Sequence, residues 1–125
     1  MPKDYVNFKL TNQRAIDYPE ASCSFLFSYP ENGRSRKITE LLDLNYDLLP
    51  PLKLPAEYIG EVTRQAAEQI GLPEGIPVIT GVGDFPASLL GSGVFRPGTG
   101  SDSTGTSTLV TLSPVIPPWM PRLRT

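Results

Sequence analysis

The stretch IPVITGVGDFPASLLG, residues 76–91, carries the local pattern that decides the fold class. Its first half is a short, apolar, β-branched run that ends in glycines, which is typical of a buried strand stopping at a tight turn. The following FPASLLG predicts a helix, because Pro86 fits a first helical turn, where a missing N–H costs nothing. Strand, glycine turn, Asp84 and helix in this order predict an α/β fold.

Asp84 lies at the end of the predicted strand, a position where α/β folds commonly bind ligands. Side chains at strand ends emerge into a crevice beside helix N-termini, so a carboxylate there is well placed for chemistry. An Asp immediately before a helix is also an ordinary N-cap. From spacing alone, a catalytic role and a capping role for Asp84 both stay open.

A second glycine-rich stretch, GTGSDSTGTSTLVTL at residues 98–112, predicts a hairpin that turns at Gly105. Residues 100–107 have the glycine and hydroxyl spacing of a P-loop, but Thr106 stands where that loop needs lysine and no helix follows. A P-loop is therefore excluded. The turn can still offer backbone N–H groups and hydroxyls to a phosphate, with an ordinary polar hairpin as the alternative.

Upstream, the pattern predicts short elements separated by proline and glycine. Near the N-terminus, the pattern predicts a helix over Pro2–Leu10 and an N-cap at Asp17. It then predicts a helical core stripe of Ile38, Leu41, Leu42 and Leu44, followed by an extended connector, LLPPLKLP. The last upstream element is a helix that is capped by Thr63, closed by Gly71 and buried through Ala66, Ala67 and Ile70.

Composition excludes several classes of function. The 125 residues suffice for one small domain or a piece of one, and 11 Lys plus Arg against 13 Asp plus Glu give a net charge of −2 without a basic block for nucleic acid. Cys23 is alone and there is no His, which excludes an intrachain disulfide and a zinc site and favours a cytoplasmic setting. No run approaches the roughly 18 apolar residues of a membrane helix, so no membrane partner is expected.

Six segments of the chain resemble segments of a known protein family, a likeness that hydrophobic periodicity alone does not reveal. They are PKDYVNFKLT, IDYPEAS, LLPPL, IGEVTRQAAEQIGLPEGIPVITGVGD, LLGSGVFRPGT and GTS, in this order within residues 2–112. In sequence and spacing the chain resembles the FGGY carbohydrate kinases, and most of all their xylulokinase-like branch.

The resemblance implies an incomplete ribonuclease H-like fold of the actin, sugar-kinase and heat-shock ATPase type. Residues 1–97 would be the C-terminal part of the family's N-terminal domain, residues 98–112 the first hairpin of the second domain, and residues 113–125 an unassigned Pro-rich tail. In this interpretation the main Mg²⁺ and adenosine elements lie outside the chain. The isolated chain is then expected to be inactive and to self-associate through unpaired strand edges.

The resemblance also implies a reaction, namely phosphorylation of a sugar or polyol hydroxyl by ATP with Mg²⁺, with a ketopentose such as xylulose as the expected acceptor. Asp84 would be the general base, and Gly83, Asp84 and Phe85 would bind the sugar. The turn of Gly105, Thr106 and Ser107 would contact the ATP phosphates, and no residue is assigned to a metal.

Two departures leave the acceptor open. Phe85 stands where family members usually carry an Asn or Gln that can hydrogen-bond the sugar, and Thr108 replaces a usual glycine. The alternatives are a non-catalytic sugar- or phosphate-binding remnant, an interaction domain derived from a sugar kinase, and a small independent domain in which Asp84 only caps a helix.

Overall fold

The computed structural model describes residues 1–106 and 108–113; Ser107 and the tail from residue 114 onward, on which two of the predictions above fall, lie outside this part. The chain forms two compact units, Met1–Gly83 and Asp84–Thr125. Short helices alternate with short strands, as the predicted α/β class requires. No helix in the described part is long and apolar enough to cross a membrane.

The helices and strands are short throughout. The helices are α1 (Pro2–Thr11), α2 (Tyr18–Ser22), α3 (Arg36–Leu41), α4 (Arg64–Ile70) and α5 (Asp84–Gly91), with a 3₁₀ turn at Tyr46–Leu48. The strands are β1 (Ile16–Asp17), β2 (Phe27–Ser28), β3 (Gly33–Arg34), β4 (Leu52–Lys53), β5 (Tyr58–Glu61), β6 (Pro77–Ile79), β7 (Gly100–Thr104) and β8 (Thr108–Leu112).

The strands of the described part pair two by two. β1 pairs with β4 in parallel, whereas β2 with β3, β5 with β6 and β7 with β8 are antiparallel. The segment LLPPLKLP was predicted to be an extended connector, and within it Leu52 and Lys53 form β4, with Leu52 opposite Ile16. These two residues can pair because they follow the two adjacent prolines and keep their N–H groups.

The predicted helix ends are confirmed. Asp17 caps α2, since its Oδ2 accepts the N–H three residues later at 3.1 Å, and Thr63 caps α4 through its Oγ1 in the same way at 3.2 Å. Gly71 closes α4 in the left-handed conformation, with φ 75°. Asn12 closes α1 likewise, with φ 58°.

The core is small and differs from the prediction. Within the described part of the chain, its buried apolar residues are Ala15, Ala21, Val62 and Ala66. Leu41 is 82% exposed, and Leu42 and Leu44 are also exposed, so the predicted leucine stripe is wrong. The physical reason is that α3 ends at Leu41, which takes the two later leucines out of the helix and leaves Thr39 as its buried residue.

Two further burial predictions are wrong. Ile70 is exposed, because it is the last residue of α4. The buried strand predicted in the first half of residues 76–91 is found at Pro77–Ile79, and it is not buried: Ile79 is 52% exposed. In the described part β6 pairs on one side only, with β5.

Candidate functional site

The chain segment that follows β6 is fixed by hydrogen bonds inside the first unit. Thr80 is fully buried, and its N–H and Oγ1 both donate to the carbonyl of Glu57, at 2.9 and 3.0 Å. The N–H of Gly81 donates to the carbonyl of Pro55 at 2.8 Å. From α1, the side-chain amide of Asn7 donates to the carbonyl of Thr80 at 2.8 Å. The start of the glycine turn is therefore held by α1 and by the segment before β5.

The two glycines of this turn are required for different reasons. Gly81 has φ 73°, in the left-handed region that favours glycine, and a Cβ there would meet nothing within 4 Å. Gly83 does not have a positive φ, but a Cβ on it would lie 2.1 Å from Oε1 of Glu20. The conformation of the chain favours glycine at the first position, whereas a side chain at the second would have to displace the carboxylate of Glu20.

Asp84 opens the second unit as the first residue of α5 and is exposed. Its Oδ1 accepts the N–H of the adjacent Phe85 at 2.8 Å. An N-cap accepts an N–H two or three residues later, so this contact with the next residue is not that of an N-cap. Within the described part, no second donor contacts the carboxylate, and Oδ2 is open to a ligand.

An open surface cavity of about 280 Å³ lies on the second unit, lined by Asp84, Phe85, Ser88 and Ser103. The ring of Phe85 is half-buried, and the hydroxyl of Ser88 donates to the carbonyl of Phe85 at 2.8 Å. The hydroxyl of Ser103 makes no hydrogen bond to another described residue. An aromatic face combined with a few polar groups is the usual lining of a small-molecule site.

Two of these lining residues were not predicted from the sequence. Ser88 comes four residues after Asp84 in α5, so helical spacing places both on one face and was a signal that could have found it. Ser103 lies on β7, and only the folding of the hairpin beside α5 brings it to the cavity.

The predicted hairpin around Gly105 is confirmed, with Thr104 of β7 opposite Thr108 of β8. Gly105 and Thr106 lie exposed in the turn, and in the described part no acceptor takes their N–H groups. A Cβ on Gly105 would meet nothing within 4 Å, so the turn is open to a ligand. An open turn with free N–H groups fits a phosphate contact, although neither residue lines the cavity of Asp84.

The described side chains do not form a binding site for Mg²⁺. Over residues 1–106 and 108–113, no three His, Cys, Asp or Glu side chains gather closely enough to hold a metal ion. Mg²⁺ prefers several oxygen ligands in near-octahedral geometry, which a single exposed carboxylate such as that of Asp84 does not supply.

Comparisons of the sequence with known proteins point to the same kind of enzyme. The sequence profile of the N-terminal domain of the FGGY family of carbohydrate kinases matches residues 1–91. The chain is 34% identical over 111 residues to a xylulose kinase from Staphylococcus epidermidis, covering 88% of this chain and 22% of that protein. It is also 34% identical over 97 residues to an autoinducer-2 kinase from Salmonella paratyphi B, covering 78% of this chain and 18% of that protein.

The fold agrees with the sequence comparison. The crystal structure of a xylulose kinase from Rhodospirillum rubrum matches with a TM-score of 0.78 at 30% identity, over 86% of this chain and 22% of that one. The predicted fold, a part of the sugar-kinase type of α/β structure, is therefore confirmed. The chain spans about a fifth of the length of these relatives. It belongs to the FGGY family of carbohydrate kinases.

Proposed function

We propose that this chain carries the acceptor side of a carbohydrate kinase, which transfers the γ-phosphoryl group of ATP to a hydroxyl of a sugar or polyol. Family membership supports the reaction class. The single observation that carries the assignment is the cavity of about 280 Å³ in which the carboxylate of Asp84 meets an aromatic ring and two hydroxyls. A sugar is complementary to this lining, because its hydroxyls can bond to the polar groups and its apolar C–H faces can pack on the ring.

Asp84 is the general base of this proposal. One of its oxygens is engaged by the N–H of Phe85, and the other is free to accept the proton of the attacking hydroxyl. As that proton moves to the carboxylate, the sugar oxygen bonds to the γ-phosphorus, the bond to the bridging oxygen breaks, and ADP leaves. The exposure of Asp84 allows the acceptor to reach it.

Phe85 and Ser103 orient the acceptor. The half-buried ring of Phe85 can pack on the C–H face of a sugar, in place of the amide hydrogen bond that the family resemblance leads us to expect at this position. The unengaged hydroxyl of Ser103 can donate to a sugar hydroxyl or to a phosphoryl oxygen. The family resemblance also assigns Gly83, the residue before Asp84 in the chain, to sugar binding.

The hairpin turn is the proposed phosphate contact. ATP supplies the phosphoryl group, and the free N–H groups of Gly105 and Thr106 would bind its phosphate oxygens together with Ser107. Mg²⁺ would be held by other parts of the complete kinase. Residues 1–97 would close the first domain and residues 98–112 would begin the second, in a cytoplasmic enzyme without nucleic-acid or membrane partners.

A ketopentose such as xylulose is the proposed acceptor. The relatives from S. epidermidis and R. rubrum are both named xylulose kinases, at 34% and 30% identity. The 34% identity to an autoinducer-2 kinase makes the acceptor of that protein the principal competitor.

The test uses a chimera in which residues 1–112 replace the aligned segment of the S. epidermidis xylulose kinase. ADP release is followed with a panel of ketopentoses, aldopentoses, hexoses and polyols, and kcat/KM is expected to be highest for a ketopentose. A chimera that unfolds as cooperatively as the parent enzyme, yet phosphorylates none of these acceptors, would contradict the proposal and favour a non-catalytic remnant.

A further inference from the structure

The carboxylate of Glu20 occupies the space where any other residue at position 83 would place its side chain. A Cβ built on Gly83 would lie 2.1 Å from Oε1, 3.1 Å from Cδ and 3.7 Å from Cγ of Glu20. Both residues belong to the first unit, although they are far apart in the sequence. The carboxyl group therefore packs directly on the backbone of Gly83.

Glu20 is itself held firmly at the start of α2. Its N–H donates to Oδ2 of Asp17 at 3.1 Å, and Pro19 restricts the same helical turn. Asp17 is fully buried and forms an ion pair with Lys3 of α1. The backbone that presents the Glu20 side chain is thus anchored to two helices.

The other oxygen of this carboxylate is shielded from solvent. Within the described part, Oε2 of Glu20 has no hydrogen-bond donor. A polar atom that is buried without a partner destabilises the fold, so its presence calls for a reason other than stability. The contact with Gly83 offers that reason.

Gly83 lacks the restraints that hold the earlier part of the turn. Thr80 and Gly81 are fixed by hydrogen bonds to Glu57 and Pro55. The N–H of Gly83 donates to no described backbone carbonyl. The carboxylate of Glu20 is therefore the close contact that limits the backbone at the residue bonded to Asp84.

We propose that Glu20 is a positioning residue for Asp84, acting through its contact with the backbone of Gly83. The inference rests on the proposed function, because it gives Glu20 a role only if Asp84 is the general base. Displacing a catalytic group by about 1 Å can cost up to 10²-fold in rate, so a loose Gly83 would lower kcat. KM for the sugar would change little, because Glu20 is not proposed to contact it.

The test is a cycle of variants in the chimera. Glu20→Ala is expected to lower kcat roughly 10- to 100-fold with little change in KM. Glu20→Gln should keep most of kcat, because the amide fills the same space. Gly83→Ala should lower kcat strongly, and Glu20→Ala should restore part of it when the two are combined, since it empties the space for the new methyl group. Glu40→Ala, at an exposed glutamate of α3, is the matched control.

Three results would overturn the proposal: equal loss of kcat in Glu20→Gln and Glu20→Ala, unchanged kcat in Glu20→Ala, or strictly multiplicative effects of the Glu20 and Gly83 substitutions. Asp84→Asn is measured alongside, and normal kcat in that variant refutes the proposed function itself. Where Gly83→Ala prevents folding, the double variant decides. It should regain a cooperative urea transition, and a double variant that is equally unfolded contradicts the contact.

Discussion

The ammonium of Lys3 and the carboxylate of Asp17 form an ion pair, with Nζ and Oδ1 2.5 Å apart. Asp17 is fully buried, whereas the side chain of Lys3 keeps 21% of its exposure. Because Asp17 also caps α2, one carboxylate joins α1 to α2. Removal of one partner of such a pair leaves the other charge buried and uncompensated, which strongly destabilises the folded state.

We therefore expect Lys3→Met to destabilise the chimera by about 3 kcal/mol, the lower end of the range for breaking a buried pair, because water can partly reach the Lys3 site. Urea unfolding measures the change. Lys9→Met, at an exposed lysine of the same helix, is the control and should stay within about 0.5 kcal/mol of the parent. Equal effects of the two substitutions would show that the ion pair contributes nothing specific.

The same pair predicts a loss of stability at alkaline pH. Burial lowers the pKa of Lys3, but hydrogen bonds and attraction to Asp17 and Asp4 outweigh it, so the pKa is raised above 10.5. A raised pKa in the folded state gives stability that is complete below pH 10.5 and is lost as the pH rises through the folded value.

The expected observation concerns the difference in unfolding free energy between the parent chimera and Lys3→Met. This difference should be constant at neutral pH and shrink above about pH 10.5. A difference that grows with pH, or stays constant to pH values where the protein unfolds, would contradict the assignment.

The sequence predicted the features that depend on neighbours along the chain. Caps at Asp17 and Thr63 and the left-handed Gly71 were found because a cap needs only a suitable side chain or glycine at a helix end. The leucines after Leu41 were misjudged, since helical periodicity indicates a shared face only while the helix continues.

Contacts between segments that are far apart in the sequence could not be predicted from local patterns. Nothing in the sequence links Glu20 to Gly83 or Lys3 to Asp17, because these contacts depend on how α1, α2 and the glycine turn fold together. At the candidate site, the local pattern located Asp84, whereas Ser103 reaches the cavity only through the hairpin. The catalytic role of Asp84 came from the family resemblance and stays a prediction.

The 125-residue chain by itself is expected to self-associate. Tyr5 and Val6 of α1 are 61% and 54% exposed, and Ile79 of β6 is 52% exposed on a strand with one described partner. Exposed apolar side chains and unpaired strand edges promote association at micromolar concentrations. Sedimentation velocity should show species larger than the monomer. Ile79→Thr, which keeps a β-branched side chain, should reduce them. A monomer over the whole range would contradict the prediction.

Ser103→Ala should lower kcat/KM of the chimera by up to about tenfold, because one hydrogen bond to a sugar hydroxyl or phosphoryl oxygen is worth about 0.5–1.5 kcal/mol. Ser101→Ala is the matched control, since Ser101 lies on the same strand but does not line the cavity. Steady-state kinetics with the preferred acceptor and with ATP shows which KM changes. Equal kinetics of the two variants would remove Ser103 from the site.

Asp84→Asn separates catalysis from helix capping. Asn can accept the N–H of Phe85 as Asp84 does and caps helices about as well, so the unfolding midpoint of the chimera should change little. Asn cannot take a proton from the attacking hydroxyl, and kcat should therefore fall roughly 10²- to 10⁴-fold. Sugar binding should weaken less, because the amide oxygen still accepts a hydrogen bond.

Asp84→Ala supplies the comparison for this last prediction. It removes both the base and the acceptor for the N–H of Phe85, so it should match the Asn variant in kcat and additionally lower the unfolding midpoint. If Asp84→Asn instead keeps near-normal kcat while Asp84→Ala is destabilised, the carboxylate acts only on the helix. The proton must then be taken by another group, and the assignment of Asp84 as general base is wrong.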